Sequence, residues 1–159
     1  MADSTYLLIS VSAAEHWTTY HSLRRSVLCG DRGLVGCYDS NHPDDRKVGN
    51  HPVLLTCDGV PVGAMRIDLV AEQGFAIMRT IAITSDRQRR GYGRIMLSLA
   101  EEYASNNGFT ATVVFAAHYA IEFYIKCGYE PHTWDPKGCF GSGSQMRKIL
   151  ENNKRGPTP

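Results

Sequence analysis

The chain has 159 residues, 43% of them hydrophobic and 21% charged, with a formal net charge of +1. That length suits one domain with a substantial buried core, and the composition excludes a disordered chain. The near-neutral balance excludes a global pull toward nucleic acid or anionic membrane, so any basic function has to be local.

The opening residues, MADSTYLLISVS, lack the positive start and long apolar stretch of a signal peptide. No segment approaches the ~18 to 20 apolar residues that span a bilayer. The cysteines (Cys29, Cys37, Cys57, Cys127, Cys139) are odd in number and form no C-x-x-C pair. A reduced compartment, the cytoplasm, is the expected location, with free buried thiols and no metal site.

In chain order, Tyr6 to Val11 is short, apolar and β-branched, which predicts a first strand. Ser12 followed by Glu15 has the spacing of a capping box, with a helix expected from there to about Leu28. Trp17, Tyr20, Arg24 and Val27 would fall near one face of it. Residues 29 to 50 are rich in turn formers and predict a long polar loop with one short helical turn. Its Asp39, Asp44 and Asp45 could attract a cationic amine or simply be solvated.

Val53 to Cys57 and Val62 to Leu69 read as strands joined at Asp58-Gly59, a strong hairpin signal. Phe75 to Thr84 is a fourth strand. A helix from about Gly91 to Asn106 carries Ile95, Leu99 and Tyr103 at helical spacing and stops at Asn107-Gly108. Thr110 to Ala116 is a nearly continuous apolar strand, His118 to Cys127 a helix, and Tyr129 to Trp134 and Ser144 to Leu150 two last strands around a Gly-rich loop. No repeat or linker divides the chain. One domain over residues 1–151 with a flexible tail over 152–159 is expected.

The stretch with chemical content is Gln88-Arg89-Arg90-Gly91-Tyr92-Gly93-Arg94, between the fourth strand and the long helix. Amides at a helix start lack intrahelical partners and sit at the positive end of the helix dipole, which suits phosphate. Glycine at 91 and 93 lets the backbone approach an anion, and the arginines add charge-assisted hydrogen bonds. The loop lacks the Gly-Lys-Ser/Thr of a P-loop and is one glycine short of G-x-G-x-x-G. A solvated basic face is the plainer alternative for these arginines.

Gln-x-x-Gly-x-Gly in this setting resembles the coenzyme A pyrophosphate motif of the GNAT superfamily of acyl-CoA-dependent N-acyltransferases. About thirty residues on, Ala120, Phe123, Tyr124, Lys126, Gly128 and Tyr129 match that family's Ala-x-x-Phe/Leu-Tyr-x-Lys-x-Gly-Phe/Tyr segment. An asparagine common three residues before the alanine is Ala117 here, which removes one side-chain contact to the cosubstrate.

The resemblance implies an α/β (α+β) fold: a mixed, mostly antiparallel central sheet, helices on both faces, and a splayed parallel strand pair. It implies acetyl-CoA as cosubstrate, with the backbone of Ile81 and Ile83 on the pantetheine and the amides from Arg89 to Arg94 on the pyrophosphate. It implies acetyl transfer to a primary amine of a small molecule or peptide, with Tyr124 as the acid that protonates the departing sulfur. Packing in a helix core is the alternative for Tyr124. His51, Glu72, Asp86 and His118 are the candidate bases, and no motif chooses among them. A homodimer is common in this superfamily. Two rival functions remain: a non-catalytic acyl-CoA-binding or regulatory domain, and a nucleic-acid module, against which the near-zero charge and Asp44-Asp45 argue.

Overall fold

The computed structural model describes residues 3–31, 38–138 and 142–151. Its frame is a seven-stranded sheet of β1 (Tyr6–Ser10), β2 (Asn50–Cys57), β3 (Val60–Val70), β4 (Phe75–Ile83), β5 (Ala111–Ala116), β6 (Glu130–Pro131) and β7 (Ser144–Ile149). Their order is β1-β2-β3-β4-β5-β7-β6. Every neighbouring pair is antiparallel except β4 and β5.

The β2–β3 hairpin forms because Asp58 and Gly59 take φ of 51° and 82°, the left-handed pair that a two-residue turn on a right-twisted ladder requires. Both faces of the central strands are apolar, so both are covered. Helix α2 (Tyr92–Asn106) buries Met96, Leu97, Ala100 and Ala104 in a cluster with Val53, Leu55, Met65, Ile67 and Met78. Helix α1 (Ala14–Arg24) and the turn after it bury Tyr20, Leu23 and Val27 with Leu54, Ala64 and Ala82 on the other face. A short helix, α3 (Ile121–Lys126), packs beside α2.

Two irregularities in β4 shape the site. Between the pairs Ala64↔Ala82 and Arg66↔Arg79, β4 holds one residue more than β3, and Thr80 there has φ of 48°. That is a bulge, which bends the strand. On its other edge β4 pairs with β5 only from Phe75 to Ile77, against Ala111 to Val113, although both strands run on. The parallel pair therefore opens into a fork, as expected.

Three local expectations need correction. The α1 N-cap is Ala13 rather than Ser12, and His16 takes the part assigned to Glu15: its Nδ1 accepts from the amides of Ser12 and Ala13 at 3.4 and 3.3 Å. The helix start is one residue later, which puts His16 at the third helical position. After Arg24 the α-helix does not continue to Leu28 but widens into a π-helical segment, Arg25–Asp31, which keeps Val27 buried. The expected strand from Tyr129 to Trp134 is only Glu130–Pro131. Pro131 has no amide to donate, and the amides of Trp134 and Asp135 turn instead to the Gln145 side chain at 2.9 and 2.8 Å.

The polar loop has its short helical turn at Pro43–Arg46. Residues 32–37 of that loop and the tail 152–159 lie outside the described residues, as do the side chains of Cys29, Cys37 and Cys139; Cys57 and Cys127 are free thiols. No helix among the described residues is long and apolar enough to cross a membrane.

Candidate active site

The turn from β4 into α2 is built around backbone of alternating hand. Arg89 has φ of 62° and Gly91 of 86°, while Arg90 between them and helical Tyr92 after them stay on the ordinary side. Alternation of this kind turns successive N–H groups toward one concavity, an anion nest, and here it runs into the free amides of a helix start. A Cβ on Gly91 would point into open space, so its glycine serves the positive φ. A Cβ on Gly93 would touch the Phe123 ring at 3.5 Å, so that position also sets how closely α2 and α3 approach. Gln88 ties the turn to the strand by donating from Nε2 to the Ile83 carbonyl at 3.0 Å.

Beside this turn lies a cavity of about 490 Å³ lined by Ile83, Arg87, Gln88, Arg89, Gly91, Gly93, Arg94, Phe123, Lys126 and Cys127. It gathers most of the residues expected to hold a cosubstrate. Of the rest, Ile81, Arg90, Tyr92 and Tyr124 are not in its lining. Tyr92 contributes its backbone to the turn while its ring leaves for the β1 edge, packing edge-on to Tyr6 and accepting from Arg87 at 3.3 Å. Arg94 donates to the Lys126 carbonyl at 2.9 Å, which ties the start of α2 to the end of α3 and draws its guanidinium off the turn. Arg87, Phe123, Lys126 and Cys127 were not expected as lining. Phe123 and Lys126 already stood in the matched segment, and Arg87 in the arginine run, so a signal existed for three of them.

Tyr124 is 7% exposed and meets Phe123 and Tyr129 edge-on, with centroids 5.1 and 5.4 Å away. Behind it Tyr129 is committed to structure. Its hydroxyl donates to Glu101 at 3.1 Å and shares a 2.8 Å hydrogen bond with Thr112. Glu101 also pairs with Lys148 at 2.9 Å. Burial, reinforced by the Glu101 charge, holds the Tyr129 hydroxyl well above its ordinary pKa.

The opposite face of the fork is polar. Arg66 makes a bidentate pair with Asp68 (2.7 and 2.9 Å) and reaches Asp45 at 3.2 Å; Asp68 also takes Arg79 at 3.1 Å, and Asp45 takes the Tyr20 hydroxyl at 3.2 Å. All three members of the Asp45–Arg66–Asp68 cluster are buried. Burial alone would lower the Arg66 pKa, but the two carboxylates outweigh it and raise it. Asp45 is thus neither solvated nor available to a cationic amine. Sequence reasoning missed this network; the available signal was Arg66-Ile67-Asp68, two charges on one face of an otherwise apolar strand.

At the Thr80 bulge Arg24 donates from Nη1 to the Thr80 carbonyl at 3.4 Å, and behind Arg24 Tyr38 shares a 2.7 Å hydrogen bond with His21. Desolvation lowers the His21 pKa. Trp134 donates from Nε1 to the Val114 carbonyl at 2.9 Å, with the Arg79 guanidinium 5.9 Å from its ring.

None of the four candidate bases lines the cavity by the turn. His51 packs against Tyr103 at 5.7 Å and borders a separate 350 Å³ hollow with Trp17 and Arg46. Glu72 is exposed in the turn before β4, Asp86 is 77% exposed beside Arg87, and His118 is exposed at the entry to α3. Among the described residues no three His, Cys, Asp or Glu side chains gather as a metal site would.

Comparison with known proteins converges on one family. A family model described as the acetyltransferase (GNAT) family matches residues 15–129. Among solved structures, a protein of Lactobacillus plantarum assigned as an N-acetyltransferase superposes with a TM-score of 0.73 at 22% identity, over 94% of this chain and 100% of that one. Escherichia coli ElaA gives 0.74 at 14% identity, over 92% and 99%. The PaiA N-acetyltransferase of Thermoplasma acidophilum, solved with coenzyme A, gives 0.68 at 14% identity, over 92% and 99%. At these identities the superpositions establish the fold.

Proposed function

The chain belongs to the GNAT acetyltransferase family, and from that premise we propose that it transfers an acetyl group from acetyl-CoA to a primary amine by direct attack. The observation that carries this reading is the turn of alternating hand at Arg89–Tyr92, opening on a 490 Å³ cavity between the end of β4 at Ile83 and helix α3. The amides from Arg89 to Arg94 would hold the pyrophosphate, with Arg87, Arg89 and Arg90 adding charge. The pantetheine would run along β4 at Ile81 and Ile83, on the edge that β5 leaves after Ile77. Acetyl-CoA would supply, when bound, the thioester whose carbonyl carbon the amine nitrogen attacks as the carbon–sulfur bond breaks, the amine giving up a proton and the sulfur leaving as the coenzyme A thiol. Tyr124 is the residue assigned to deliver a proton toward that sulfur, and its burial beside Phe123 excludes water from the same spot.

Coenzyme A should therefore raise the melting temperature of the protein. Gly91→Glu puts bulk and negative charge into the open space beside the nest, and the shift should vanish. The melting temperature without ligand reports separately the strain of a side chain at φ of 86°. A Gly91→Glu protein that folds and still binds coenzyme A with unchanged affinity would remove the turn from the site.

A further inference from the structure

We propose that the acceptor carries a carboxylate beside its reacting amine, and that Arg24 with its neighbouring arginines recognises that group. This narrows the acceptor of the acetyl-transfer reading above and rests on it. On the face of the sheet that holds α1, Arg24 reaches the β4 bulge and Arg25 and Arg46 act with it on His21, while the buried carboxylates nearby are Asp45 and Asp68. Both carboxylates are already used, by Arg66 and Arg79. Among the described residues no ion pair involves Arg24, Arg25 or Arg46.

Those three are held by aromatic faces instead. Arg24 lies 5.0 Å from the Tyr20 centroid and 6.0 Å from that of Tyr38, Arg25 lies 5.4 Å from Tyr38, and Arg46 lies 4.1 Å from Trp17. Cation–π contact fixes a guanidinium without neutralising it, so the charge stays available to a ligand. Arg24 has a further mark. Its Nη1 donates to the Thr80 carbonyl in the bulge beyond the point where the fork opens, while its Nε is buried with no hydrogen-bond partner. That Nε is sealed from solvent, so an approaching carboxylate would use the outer nitrogens of the guanidinium, as a charge-assisted hydrogen bond to an already positioned cation. An acceptor that is cationic along its length, such as a polyamine, would meet like charge here instead.

The test is acetyl transfer from acetyl-CoA to matched sets of amino acids, their carboxamides and their decarboxylated amines, with spermidine alongside. Carboxylates should be favoured in kcat/KM by roughly tenfold or more, about the effect of one charge-assisted hydrogen bond, and mostly through KM. Arg24→Gln should bring the carboxylate-to-amide ratio toward one, and Arg24→Lys should keep part of it. Arg46→Gln, at an exposed position outside the core, gives a second variant that folds independently of the Thr80 contact and should lower the same ratio less. Preference for the amides or for spermidine overturns the inference and leaves acetyl transfer standing. If no acceptor is acetylated, thermal shift with coenzyme A present decides. Amino acids that raise the melting temperature where their amides do not support it, and the absence of any such difference overturns it. Failure of coenzyme A itself to bind overturns the reading beneath.

Discussion

Tyr124 has a ring in the core and a hydroxyl assigned to chemistry, and the two can be separated. The ring packs on Phe123 and Tyr129 at 7% exposure, and Tyr124→Phe preserves that packing. Fold and coenzyme A affinity should barely change, while kcat should fall by ~100-fold or more, the scale of a lost, well-positioned acid. The loss belongs in kcat rather than in KM for acetyl-CoA, because the interaction strengthens only as sulfur gains charge. A Phe variant with nearly full kcat, chemistry being rate-limiting, would leave Tyr124 as a packing residue. Legibility at this scale was uneven. Gly91 could be picked out because glycine next to a helix start has few other reasons to be there, whereas the positive φ of Arg89 has no residue-type signature at all.

Strand β4 carries most of what distinguishes this site, and it does so by departing from regularity. The extra residue at Thr80 bends the strand three residues after its pairing with β5 stops, within the stretch that the fork leaves open. Beside it, β3 supplies Arg66 and Asp68 to a buried cluster that reaches Asp45 in the polar loop and Arg79 on β4. This cluster ties loop, β3 and β4 together beneath the bulge. Removing one partner leaves a buried charge uncompensated, so Asp68→Ala should destabilise by about 3 kcal/mol, the low end for a broken buried pair because Asp45 still faces Arg66. Urea unfolding checks this; a change within ~0.5 kcal/mol, the scale of an ordinary surface substitution, would mean the cluster is effectively solvated.

Across the whole molecule a formal charge of +1 conceals two separate basic regions, the arginine run at the α2 start and the arginines around His21. If the first holds phosphates, coenzyme A affinity should weaken as ionic strength rises, since exposed charges are screened. RNA oligomers binding as tightly as coenzyme A in calorimetry would contradict the local character of that charge. The sequence by itself determined the family and the frame. Those depend on local signals: hydrophobic period, a left-handed turn at Asp58-Gly59, and glycines spaced at a helix start. It also determined the order of strands and helices that leads into the pyrophosphate turn. Only the tertiary structure decided where the cavity closes, that Arg94 serves α3, and that His16 rather than Glu15 accepts from the start of α1. It decided as well that Asp45, read as a loop carboxylate, lies buried against Arg66, because a buried ion pair joins residues far apart in the chain and its energy comes from exclusion of water. No spacing rule along one chain encodes that exclusion, which exists only once α1 and the polar loop have closed over the sheet.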